Sequence, residues 1–253
     1  MIRTIGSKTI YSMTELGRAL FLLWRIIVNG RFVFVDRRLY ARQMMIIGVQ
    51  SLPLVLLIGA FTGAVSTWQS NYQFGSLVPA KYIGVATFKA VMVELGPVLC
   101  GLVLAGRVGS SLAAELGTMK ISEQVDALVV FAIDPVRYLA APRFFAGFIM
   151  VPVIVTISVC VAIFGGFAVG FLFLDLSAQT FFGEIPVWFK MKDVQIMLVK
   201  SITFGGLVCL IGTYVGLNTA GGAEGVGQAT IRAFVYAAVL ILITDYLLAL
   251  LLF

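Results

Sequence analysis

At 253 residues, 60% hydrophobic and 12% charged, with a mean hydropathy of +1.05, the chain is too apolar for a soluble fold and points to the bilayer as its main solvent. Its net charge of +6 is spread beside apolar runs rather than gathered in a basic domain, which argues for membrane topology and against nucleic-acid binding. With no histidine, Ser-His-Asp and Cys-His catalysis are excluded, and with no GxxxxGK[ST] motif the chain has no phosphate loop of its own.

In chain order, the first candidate element is an amphipathic helix over residues 12–30. Ser12 and Glu15 fit an S-x-x-E capping box. Met13, Leu16, Leu20, Leu23, Trp24 and Ile27 recur at helical spacing, while Glu15, Arg18, Arg25 and Asn29 fall on the other side. A basic polar face opposite a Trp-bearing apolar face predicts a helix lying flat at the cytoplasmic headgroups. Arg37, Arg38 and Arg42 then hold the start of the first apolar run, 43–68, in the cytoplasm. That run carries Pro53 and a GxxxG at Gly59 and Gly63, a pattern for close helix approach.

Further apolar runs follow at 82–105, 144–174, 194–217 and 233–253. The third exceeds the ~20 residues a span requires and carries Pro152, so it tilts, kinks or projects. Asp175 to Asp193 reads as an outer loop, and NTAGGAEGVGQATIR as a small-residue turn before the last run. The expected fold is an all-α integral membrane protein with an interfacial helix, five transmembrane helices, a cytoplasmic N-terminus and an external C-terminus. Between the second and third spans lies a cytoplasmic segment, 109–134. There Ile121, Val125 and Leu128 share one helical face, Glu123 and Asp126 take the other, and Asp134-Pro135 ends the helix. No internal repeat is evident, which disfavours an inverted-repeat transporter. Cys100, Cys160 and Cys209 lie in apolar runs without CxxC spacing and read as small hydrophobes.

Ionisable residues at membrane depth are functional candidates by default. Here they are Lys89, Glu94, Lys200 and Asp245. At ~1.5 Å per residue, Glu94 lies about 18 Å from the outer end of its run, Lys200 about 9 Å and Asp245 about 12 Å. Those depths allow the last three to meet, either in a polar patch within a cavity or as an ion pair that locks helices. Pro97, just past Glu94, removes a helical hydrogen bond beside the acid.

ELGPVL, AGRVGSSLAAELGTM, EQVDAL and DPVRYLAAPR occur in that order, and together they resemble the MlaE-type permeases of ABC transporters, over nearly the whole chain. The resemblance implies a homodimer, a cytoplasmic ABC ATPase dimer that binds the ATP, and MCE-domain periplasmic proteins. It leaves room for a small cytoplasmic STAS-domain subunit. It implies phospholipid transport at a bacterial inner membrane, with no cofactor held by this chain. Glu94, Lys200 and Asp245 match charged positions of the family's lipid cavity. Glu115, Glu123, Gln124, Asp126 and Asp134 fall in its ATPase-coupling segment. Many members carry Arg where this chain has Val93; Lys89, one helical turn away, is the candidate replacement. Rival readings are a permease for a sterol or solvent-like substrate, a lipid-modifying enzyme using Glu94, and a gradient-driven carrier.

Overall fold

Inside a bilayer a chain must satisfy its own backbone, which leaves helices or a closed barrel. A computed structural model describes residues 2–32, 36–75 and 77–252, with side chains for 13–31, 36–75 and 77–252, and within these the chain takes the helical solution. Five helices are long and apolar enough to cross a membrane: α2 (Arg37–Phe74), α3 (Ala80–Ile121), α5 (Val136–Phe173), α8 (Met191–Leu217) and α9 (Gly222–Leu252). The other α-helices are α1 (Ile2–Asn29), α4 (Gln124–Val130), α6 (Ala178–Phe182) and α7 (Ile185–Trp188).

Several boundaries differ from the sequence reading. α1 starts at Ile2, so residue 12 lies inside the helix and no capping box starts it. Arg37, Arg38 and Arg42 belong to α2 rather than preceding it. The small-residue turn shrinks to about Asn218 to Gly221, because positive φ at Gly221 (95°) and Gly222 (70°) reverses the chain and α9 then runs straight through GAEGVGQATIR. The outer loop contains α6 and α7; Phe181 of α6 and Leu176, just before it, pack with Ile83.

α3 holds 42 residues, about 60 Å at 1.5 Å per residue, twice the ~30 Å hydrocarbon core. Thus 109–121 is the end of this helix, not the start of a separate one. The break comes at Glu123, whose φ of 58° is left-handed and stops the helix before α4.

Prolines account for two departures from regular α geometry. A proline has no N–H and its ring crowds the carbonyl four residues back. Gly96, just before Pro97, donates to Val91 O, and Ala141, just before Pro142, donates to Val136 O; both are i→i−5 bonds that close π turns at Val91–Leu95 and Val136–Ala140. A third π turn, Ala105–Gly109, has two glycines and no proline.

The core is built where small residues let backbones touch. A Cβ at Gly63 would collide with the carbonyl oxygen of Ala162, and one at Gly59 would lie 2.8 Å from Ser158 O, so the GxxxG face packs α2 on α5. Gly205 approaches Gly147 in the same way, bringing α8 onto α5. Leu104, Val108, Val155, Phe204 and Val208 fill the space between. Most of the apolar window of α8 is buried and little of that of α9, so α8 is central and α9 peripheral.

α1 lies against this bundle along one narrow stripe. Ile26 is fully buried among Val136, Ala140, Phe144 and Leu210, while Met13, Leu16, Leu20, Trp24 and Ile27 stay exposed. The apolar face read from the sequence is therefore the one the protein leaves uncovered, apart from Leu23, which packs inward. Tyr214 donates to Glu15 (2.6 Å) and Arg25 pairs with Asp134 (3.0 Å).

Candidate functional site

The π turn at Val91–Leu95 adds a residue to one helical turn and carries Glu94. α8 carries Lys200 and α9 carries Asp245. The Lys200 side chain is 0% exposed, and its ammonium lies 2.6 Å from Glu94 Oε2 and 2.7 Å from Asp245 Oδ1. One cation thus joins three helices whose charges are 106 and 45 residues apart from it in sequence, by subtraction of their numbers. A buried lysine requires such partners, since its charge has no water to hold it. The three members are not equally accessible. Asp245 is 14% exposed and Glu94 44% exposed, so Glu94 is the member a ligand can touch.

A groove of 570 Å³ runs between α2 and α3, and the part of α3 that lines it, Ala90, Leu95 and Leu99, brackets Glu94 in sequence without including it. Leu57, Phe61 and Val65 form one wall and Leu95 and Leu99 the other, with Gln69 and Gln73 farther along α2. The groove offers an apolar surface for hydrocarbon, and the half-exposed Glu94 carboxylate on the same stretch of α3 offers an acceptor for a polar head.

Lys89 does not join this cluster. It forms an ion pair with Asp193, at the start of α8. Asp193 has no local pattern linking it to Lys89, because the two are 104 residues apart and meet only when α3 and α8 pack.

The segment after α3 is arranged around buried Val125, which packs with Leu116 and Leu139, while Leu128 lies partly covered beside them. The inward face read from the sequence is thus present. Glu123 is exposed, Asp126 pairs with Lys120 (2.7 Å) and Gln124 donates to Ser122 Oγ (3.0 Å). Glu115 and Asp134 are anchors. Glu115 accepts from Arg143 (2.7 Å), whose side chain is 3% exposed, and Asp134 accepts from Arg25 and from Val136 N (3.0 Å). Sequence reasoning missed the apolar tip. Val129, Val130 and Phe131 are 59%, 83% and 75% exposed, a run of three whose only sequence signal was its position just before the Asp134-Pro135 turn.

Residues 40–251 match the family Permease MlaE. A probable ABC transporter permease protein of Rickettsia typhi is 40% identical over 98% of this chain and 96% of its own length. One of Synechocystis is 35% identical over 94% and 91%. The intermembrane phospholipid transport system permease protein MlaE of Haemophilus influenzae is 32% identical over all of this chain and 97% of its own. Near-complete coverage on both sides, with a five-span helical fold, makes this chain a member of the MlaE permease family, a multi-pass membrane subunit of ABC transporters.

Proposed function

We propose that the chain moves phospholipid between a bacterial inner membrane and an MCE-protein conduit, driven by a separate ABC ATPase. The observation that carries this reading is the continuity of α3. One helix gives Leu95 and Leu99 to the apolar groove, carries Glu94 next to them in sequence and ends at the break that leads into α4. The acyl chains lie along Leu57, Phe61, Leu95 and Leu99, and the headgroup meets the exposed Glu94 carboxylate. Lys200 is a positioning residue here, buried behind the acids it holds. Two copies of the chain, with an ATPase dimer on α4 and MCE proteins at the opposite end, complete the transporter; a small STAS-domain subunit is compatible with the same cytoplasmic side. The name of the Haemophilus relative, which specifies intermembrane phospholipid transport, supports the cargo.

ATP acts through α4 only if the two ends of its stroke bind lipid with different affinity. Purification in mild detergent with mass spectrometry of what co-elutes is expected to recover phospholipid, ATPase and MCE protein together. Glu94→Gln is expected to lower ATP-driven lipid transfer while ATPase recovery stays intact. Undiminished transfer by that variant, or transfer that persists without nucleotide, overturns the reading.

A further inference from the structure

A second cavity, of 470 Å³, opens where α2 begins and is lined by Asp36, Arg37, Arg38, Leu39, Arg42 and Tyr138. Its charge is unbalanced. The one acid in the wall, Asp36, is already engaged by Arg137, which donates to it from Nε (3.1 Å) and Nη2 (2.9 Å). Arg37, Arg38 and Arg42 have no carboxylate within ion-pair distance among the described residues. The wall therefore holds three guanidinium groups and one carboxylate, and that carboxylate is the one Arg137 occupies. Arg38 and Arg42 are four residues apart and share a helix face, so both forks reach the same volume. Tyr138, 45% exposed, adds an amphipathic ring of the kind that sits at headgroup level.

This cavity is separate from the Glu94 site. Gly59 lies level with Gly96, both lining one small interior void, and about 25 Å of α2 separates it from Arg42 at 1.5 Å per residue. The surroundings also mark the membrane surface, since α1, with its uncovered Trp24 and Ile27, ends only a few residues before Asp36.

We propose that this cavity is a binding site for a phosphate group, supplied by an anionic phospholipid of the cytoplasmic leaflet. Arginine forks match phosphate oxygens two at a time, and basic pockets on the cytoplasmic side of helical membrane proteins take such headgroups. The volume exceeds what a free phosphate needs and suits a glycerophosphate head. Leaflet assignment rests on the orientation in the proposed function; the phosphate site itself does not. A bound phosphate would tie the start of α2 to Arg137 and Tyr138, in the π turn that follows the α4 segment, and would stiffen the root of that segment.

The test uses the delipidated full-length protein without ATPase. Lipid retention by native mass spectrometry and the shift in Tm are measured with phosphatidylglycerol, phosphatidylcholine and inorganic phosphate. Phosphatidylglycerol is expected to be retained more strongly than phosphatidylcholine and to raise Tm more, and Arg38→Gln with Arg42→Gln to weaken the phosphatidylglycerol retention by about tenfold or more, to the level of phosphatidylcholine. Arg38→Lys with Arg42→Lys, which keeps charge but loses the fork, is expected to fall between and serves if the glutamine pair does not fold. The readout is the excess of phosphatidylglycerol over phosphatidylcholine that the arginine substitutions remove, so a failure of the cargo reading leaves this one standing. Equal retention of the two lipids, or wild-type retention by both arginine pairs, overturns the site. An equal Tm shift from millimolar phosphate alone overturns the lipid assignment in favour of a soluble anion.

Discussion

Lys200 shows how much one side chain can decide. Its ammonium is fully enclosed and served by two carboxylates on two other helices. Removing one partner of a buried pair costs about 3–5 kcal/mol, because the remaining charge is stranded. Lys200→Met, which leaves two acids facing each other, is therefore expected to lower Tm more than Glu94→Gln, which leaves the Lys200–Asp245 contact in place; thermal unfolding in detergent checks the order. Lys89 makes a contrasting case. Were it the replacement for the family arginine at Val93, its loss would weaken lipid binding without involving Asp193. Its ion pair instead predicts that Lys89→Ala and Asp193→Ala lower Tm together, with a coupling of ~0.5–3 kcal/mol in a double-mutant cycle. Strict additivity would mean the pair contributes nothing.

Among the elements, the π turn before Pro97 is the one that aims the site. With an N–H restored at position 97, the i→i−4 bond to Val93 O becomes available and the turn can relax to α geometry, rotating Glu94 relative to Lys200. Pro97→Ala is expected to fold but to reduce lipid transfer by about tenfold or more, as displacing the acid from Lys200 loses a charge-assisted hydrogen bond worth about 1.5–3 kcal/mol. Unchanged transfer would detach the π turn from function. The tip of α4 gives a second test. Glu123→Lys with Asp126→Lys, and separately Phe131→Asp, are expected to reduce recovery of the ATPase; if only the charge reversal does so, the exposed Val129 to Phe131 run is not the contact surface. Gly63→Val is expected to abolish the folded protein, because its side chain meets the Ala162 backbone rather than a movable group.

For the whole molecule, the arrangement of basic residues predicts that α4 and the arginines of α2 lie on one side of the membrane and Leu77 on the other. With Cys160 replaced, Leu77→Cys is expected to react with an impermeant thiol reagent in intact cells and Phe131→Cys only after lysis; both positions are largely exposed, so reversed labelling would invert the topology. Helical class, the five apolar runs and the uncovered face of α1 were legible in the sequence, because they depend on local composition and on a period of 3.6 residues. The grouping of Glu94, Lys200 and Asp245 was legible as well, since depth along a span follows from counting. Partners were not. Lys89 with Asp193, Glu115 with Arg143, Asp36 with Arg137 and Arg25 with Asp134 are joined across 28 to 109 residues. Such pairs depend on which helix faces which, and that is set by small residues such as Gly63 and Gly205 that let particular backbones touch. That the chain crosses the membrane, and how far along each span its charges sit, follows from the order of its residues; that Lys200 is sealed between two acids while three arginines at the other end of α2 face an open cavity follows from the fold alone, because burial and pairing are properties of packed helices and not of any one of them.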